Sequence, residues 1–138
     1  MGYISKKDRE LVKQKFNGLC AYSGTKLEDD WQIDNVKPLI RNCWTNAVGC
    51  EENHKLDNMF PVQKLINHYK GSLDLEIFRT WYLSGLSDRL KKLPKNPKVE
   101  KSIKHKKYLL SIAEYFDITM DKPFGGTFYF ERVSANVL

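Results

Sequence analysis

The 138-residue sequence predicts an α+β fold, and three observations carry that reading. Two short stretches, Trp31–Leu39 and Asn58–Val62, have strand composition and bracket a polar loop. Four other stretches repeat apolar residues at helical spacing. Near the end, TFYFERV (127–133) alternates after Gly125-Gly126 and predicts a last strand. The expected architecture is a hairpin-and-helix core with an N-terminal helix before it and helices plus a final strand after it.

Each element has its own signal. Leu11, Val12, Lys15 and Phe16 share a period over Lys7–Phe16, with Ser5 as N-cap. Asn17-Gly18 ends that helix. CAYSGTKL reads as a tight turn around Gly24. Trp31 and Ile33 alternate with Gln32 and Asp34, which puts Asp34 on the polar face of the first strand. Arg41–Lys55 is polar and irregular, a loop. After the return strand, Gln63–Tyr69 predicts a short helix closed by Gly71. Ser72 is expected to cap the next helix, with Asp74 and Glu76 in its first turn and its period running to Gly85. Pro94 and Pro97 within LPKNPK break any helix there, so the lysine-rich stretch reads as a basic loop joining two helices. A last helix spans Ser102–Phe116, with Tyr108, Leu109, Ile112 and Phe116 on its apolar stripe.

Composition narrows the function. Hydrophobic residues at 41% exclude a disordered chain, and the length suits one domain without disulfide staples. No apolar run approaches the roughly 20 residues of a membrane span, and MGYISKKDRE lacks the apolar region of a secretory signal. Three cysteines (Cys20, Cys43, Cys50) are expected to be reduced thiols in a cytoplasmic protein. The formal charge of +6 permits a polyanionic partner. Its distribution says more: Arg89, Lys91, Lys92, Lys95, Lys98, Lys101, Lys104, Lys106 and Lys107 face only Glu100 within their stretch. A solvated face and a phosphate track both explain such a run.

Three motifs in order carry a resemblance. Ile33-Asp34-Asn35-Val36-Lys37-Pro38-Leu39 comes first, Asp57-Asn58-Met59-Phe60-Pro61 second, and Asn67-His68-Tyr69-Lys70-Gly71 third. With the lead-in Phe16-Asn17-Gly18 to Gly24 and the following Ser72 to Arg79, the sequence resembles the HNH endonucleases, most of all small phage and bacterial HNH proteins. The resemblance covers nearly the whole chain. It implies a single domain over 1–138 with a ββα-metal core at about 17–71 and a C-terminal extension at about 72–133. It also implies a metal-dependent endonuclease or nickase that hydrolyses phosphodiester bonds in double-stranded DNA, in the cytoplasm of a bacterial or phage-infected cell.

On the matched positions, Asp34 and Asn67 would hold Mg²⁺ or Mn²⁺ through hard oxygen donors, with waters and phosphate completing the shell. Asn58 would orient the base and Lys70 would reach a phosphate. Arg41, Lys64, Lys70, Arg89, Lys91, Lys92, Lys95 and Lys98 are the expected DNA contacts. Two strand cuts from one small site make a homodimer an open option.

The sequence departs from the family pattern twice. The structural zinc of many relatives needs two Cys pairs; here Cys20 is matched by Ser23, and the second pair aligns with Gln63 and Ile66. One thiolate cannot build a tetrahedral zinc site, so no structural zinc is expected, and packing by Phe16, Leu65 and Ile66 takes its place. The base position is Asn35, whose amide cannot accept a proton near neutral pH. Three explanations stand open: a deliberate His→Asn replacement, a natural non-cleaving DNA-binding module, or a different base such as His54 or His68.

Overall fold

The computed structural model describes residues 4–36 and 56–137. They form a mixed fold of helices and a two-stranded antiparallel sheet. The chain divides into two compact units, Met1–Leu75 with Phe128–Leu138, and Glu76–Thr127. Among the described residues no helix is long and apolar enough to cross a membrane.

In the first unit, helix α1 (Lys6–Gln14) begins where the sequence places it: the Ser5 hydroxyl accepts from the Asp8 N–H at 3.1 Å. Asn17 and Gly18, at φ 55° and 81°, turn the chain. A second turn follows at Gly24 (φ 75°), where a Cβ would lie 2.7 Å from the Tyr129 ring, so glycine is required by both backbone and space. Strand β1 (Gln32–Asn35) then pairs with β2 (Met59–Val62), with Asp34 opposite Phe60 and Asn35 opposite Met59. Pro61 fits in β2 because a two-stranded sheet needs only one hydrogen-bonding edge, and its carbonyl accepts from the Ala21 N–H at 2.8 Å. A 3₁₀ turn, Leu56–Asn58, leads into β2. The expected loop Arg41–Lys55, with Arg41 and His54, lies outside the described residues, as does the end of the first motif.

Helix α2 (Lys64–Lys70) follows β2 directly and packs on β1. Gly71 (φ 56°) closes it, its N–H bonding the Asn67 carbonyl at 2.9 Å. The core of this unit gathers Val12, Cys20, Tyr22, Trp31, Val62, Ile66 and Phe128. Around Tyr22 the rings of Phe60, Phe128 and Phe130 lie at centroid distances of 6.1, 5.1 and 6.1 Å.

The last segment corrects the sequence expectation. Instead of a strand it forms helix α6 (Tyr129–Val137). The Tyr129 and Phe130 N–H groups do reach the Tyr22 and Ala21 carbonyls, at 3.0 and 2.9 Å, as a strand edge would. Glu131 Oε1, however, accepts from the Phe128 N–H at 2.8 Å, the back-bond of a capping box, and the chain turns helical. The Phe-Tyr-Phe alternation marks only the approach to that cap.

The second unit differs from expectation in three places. Helix α3 (Leu75–Ile77) begins three residues after Ser72, so Ser72 does not cap it. It passes into a π-helical turn, Phe78–Leu83, in which the Ser84 N–H bonds the Arg79 carbonyl at 3.1 Å. Helix α4 (Leu86–Lys92) stands where a basic loop was expected to start, because Leu86 and Leu90, one turn apart, are both buried. Helix α5 (Glu100–Tyr115) falls where the Ser102–Phe116 helix was expected, and the residues around Pro94 and Pro97 stay loop. Phe78, Leu83, Leu86, Leu90, Leu109, Ile112 and Ile118 are buried in this unit.

Candidate functional site

The β1–α2 face of the first unit collects the polar residues that the sequence singled out. A strand advances about 6.6 Å over two residues and a helix about 4.5 Å over three, so two contacts one turn apart on α2 can meet alternate residues of β1. They do so here: Asn67 Nδ2 donates to Gln32 Oε1 at 2.8 Å, and Lys70 Nζ lies 3.1 Å from Asp34 Oδ2. Asp34 and Lys70 are buried, at 6% and 1% exposure. Among the described residues the Asp34 carboxylate is the acidic group that the ammonium meets.

A third group completes this cluster. The Tyr22 hydroxyl donates to Asp34 Oδ2 at 2.5 Å. Burial pushes the Asp34 carboxyl above its ordinary range, opposed by the Lys70 ammonium and by hydrogen bonds from Tyr22 and the Asn35 backbone. Burial, and then the adjacent Asp34 charge, push the Tyr22 phenol well above its usual value, so it remains a donor. Sequence reasoning gave Tyr22 no role; its signal was an amphipathic ring in the turn around Gly24.

Beside this cluster, Asn35 is paired with Met59, and the Val36 N–H donates to the Asn58 carbonyl at 2.9 Å. Asn58, the residue before Met59, is buried. The amide oxygen of Asn35 is buried without a hydrogen-bond partner among the described residues, an arrangement that disfavours the folded state unless a donor reaches it. His68 follows Asn67 on α2 but is exposed, as is Lys64. Lys15 fastens α1 to this region, its ammonium donating to the Leu56 and Met59 carbonyls at 2.5 and 2.7 Å. Burial lowers its pKa, against the pull of Asp57.

One sequence expectation needs correction. Lys70 does not reach outward to a phosphate; it is buried, and its charge is directed at Asp34. Asn67 bonds Gln32 through its amide nitrogen, while Asp34 Oδ2 meets Tyr22 and Lys70. The oxygen atoms of Asp34 and Asn67 suit a hard cation, but the single carboxylate is already compensated by an ammonium. Among the described residues no three His, Cys, Asp or Glu side chains gather. A cation taking up Asp34 would have to displace Lys70 from its carboxylate.

The positions aligned with zinc cysteines have a polar solution that sequence reasoning missed. Gln63 is fully buried. Its amide donates to Thr25 Oγ1 at 3.0 Å and to the Lys26 carbonyl at 2.7 Å, and accepts from the Glu28 N–H at 3.2 Å. Ser23 and Thr25 hydroxyls meet at 2.7 Å. Cys20 is a buried free thiol. Of the three expected packing residues, Ile66 is fully buried, whereas Phe16 and Leu65 are half-buried, and Phe16 stands edge-on to Phe60 at 5.4 Å.

The basic run lies in the second unit. Lys92, Lys95 and Lys98 are exposed, and Lys91 pairs loosely with Asp88 at 3.5 Å. Arg89 has a structural use: its guanidinium donates to the Trp81 and Tyr82 carbonyls at the end of the π-helical turn.

No protein-family model, curated protein or solved structure matches this chain.

Proposed function

We propose that the chain is an HNH-type DNA-binding protein with a ββα-metal core, an endonuclease or nickase scaffold whose phosphodiester hydrolysis is impaired at Asn35. One observation carries this reading: Asp34, Asn35, Asn58, Asn67 and Lys70 belong to one hairpin-and-helix arrangement, β1–β2–α2. Three motifs far apart in sequence thus serve a single local structure. A base at position 35 would follow Asp34 on β1 and pair with Met59, the residue after Asn58. The amide there supplies no titratable lone pair, so activation of water fails at that position.

A second reading, a natural DNA-binding module without cleavage, is favoured by the state of Asp34. Its carboxylate is satisfied internally by Tyr22 and Lys70, and Mg²⁺ or Mn²⁺ could take it only after Lys70 withdrew. Both readings require DNA binding, and the exposed Lys92, Lys95 and Lys98 are the proposed phosphate contacts. The test is equilibrium binding to labelled duplex DNA by fluorescence anisotropy, with EDTA present. Saturable binding whose affinity falls steeply with salt is expected. Absence of binding at low salt would remove both readings together.

A further inference from the structure

Helix α5 carries two apolar stripes, and its own unit uses one. Leu109, Ile112 and Ala113 are buried. Ile103 and Leu110, seven residues apart and so on one other face, are 45% and 47% exposed, and Val99 just ahead of the helix is 66% exposed. A helix of a small unit needs a single stripe to hold its core; a second one clustered at the surface marks a contact site.

This second stripe floors a groove that the fold has already shaped. Lys106 Nζ donates to the Pro94 and Lys95 carbonyls, both at 2.9 Å, which pins the loop of Pro94 and Pro97 along α5. Between loop and helix lies a groove of about 510 Å³ with Pro97, Ile103 and Leu110 in its lining and Lys95 and Lys107 among its basic residues. Lys95 and Lys107 are both exposed. Glu114 is the one acid among its lining residues, and the wider Arg89–Lys107 stretch holds nine bases to one acid.

The chemistry of this surface selects its occupant. A nucleic-acid backbone would use the lysines but gain nothing from an aliphatic floor, and no aromatic side chain lines the groove to stack on a base. An amphipathic helix with an acidic face uses both features, its apolar anchors filling the floor and its carboxylates meeting the rim. Ile103 and Leu110 are separated by about 10.5 Å along the axis, the rise of seven helical residues, which matches anchors at i and i+7 of a partner helix. We propose that this groove docks an acidic, amphipathic helical segment of another protein. The proposal is independent of the nuclease-type core, since it rests on residues of the second unit alone.

The experiment uses the full chain and synthetic probes. The first is a fluorescein-labelled peptide with leucines at i, i+4 and i+7 and glutamates on the opposite face. The others are its scrambled isomer, the same leucine pattern with lysines replacing the glutamates, and a short duplex DNA. Anisotropy titrations should show the acidic amphipathic peptide binding at least about tenfold more tightly than the scrambled and lysine versions. Ile103→Ser and Leu110→Ser should each weaken it by about tenfold, with circular dichroism unchanged because both side chains are half-exposed, and Lys107→Glu should weaken it as well. Equal binding of scrambled and amphipathic peptides, or indifference to the Ile103 and Leu110 substitutions, would overturn the proposal. So would DNA binding that depends on Ile103 and Leu110, or a concentration-dependent dimer of the chain that Leu110→Ser abolishes.

Discussion

Replacing Lys70 with methionine tests the buried pair under α2. The substitution keeps an unbranched side chain of similar length and removes the ammonium that lies 3.1 Å from Asp34 Oδ2, where the two side chains are 0% and 7% exposed. At that separation the attraction is about 5 kcal/mol for an effective dielectric of ~20. Breaking one partner of a buried pair costs about 3–5 kcal/mol. For a chain of this size that is a fall in Tm of about 4 °C per kcal/mol, so about 12–20 °C.

The pH dependence gives the sign. Burial already raises the Asp34 carboxyl, and Lys70 is the largest influence opposing it; without Lys70 the carboxyl rises further. A carboxyl that binds its proton more tightly folded than unfolded contributes stability below its unfolded pKa of about 3.9, and that contribution is lost as pH rises through the folded value. Lys70→Met should therefore lie closest to the parent at about pH 4 and furthest below it at about pH 8. Removing both charges, in Asp34→Asn/Lys70→Met, should recover most of the loss, because a neutral buried pair costs far less than a lone charge. Urea unfolding followed by far-UV circular dichroism at both pH values, with EDTA present, measures all of this. A loss under about 1 kcal/mol at the higher pH, the range of surface pairs, would refute the reasoning. A loss that grows toward acid, or a double variant no better than the single, would refute it too.

Two other outcomes are expected. Gln63→Leu should destabilise the protein by about 1–3 kcal/mol in the same urea assay, because the Glu28 N–H, Thr25 hydroxyl and Lys26 carbonyl each lose a partner; a neutral or stabilising result would show that apolar packing alone serves there. Replacing Lys92, Lys95 and Lys98 with alanine should weaken DNA binding equally for unrelated sequences. It should also flatten the log–log salt dependence by about 0.9 for each phosphate no longer neutralised, and an unchanged slope would return these lysines to the role of a solvated surface.

Local chemistry made part of this fold legible in advance. Ser5 announced its cap, Asn17-Gly18 and Gly71 their turns, and the two strands with the helix after them are where their composition put them. The failures have two causes: a partner distant in sequence, or a single local bond that overrides a pattern. Leu86 and Leu90 make too short a period to stand out from the lysines beside them, and only burial against other helices reveals α4. The Phe128–Phe130 alternation is genuine, but Glu131 reaching back to the Phe128 N–H decides for a helix. Lysine composition predicts exposure, so nothing local foretold that Lys70 would be buried against Asp34, or that the Tyr22 hydroxyl would cross to that carboxylate from a turn twelve residues earlier. Gln63 likewise reads as an ordinary polar residue until Thr25 and Lys26 are brought beside it. The candidate site was legible as a set of residues; the pairings within it were not.

The most direct test of the proposed function is the cleavage of plasmid DNA by Asn35→His in buffer containing Mg²⁺ or Mn²⁺. Histidine supplies a base with an ordinary pKa of about 6.5 at the position that follows Asp34 on β1 and pairs with Met59. The impaired-nuclease account predicts nicked or linear product forming at least about 10²-fold faster than with the parent chain, at nearly unchanged DNA affinity, and slowing as the imidazole protonates at lower pH. If Asn35→His binds the plasmid as the parent does and leaves it supercoiled, the account of an impaired enzyme is contradicted and the non-cleaving binder stands in its place.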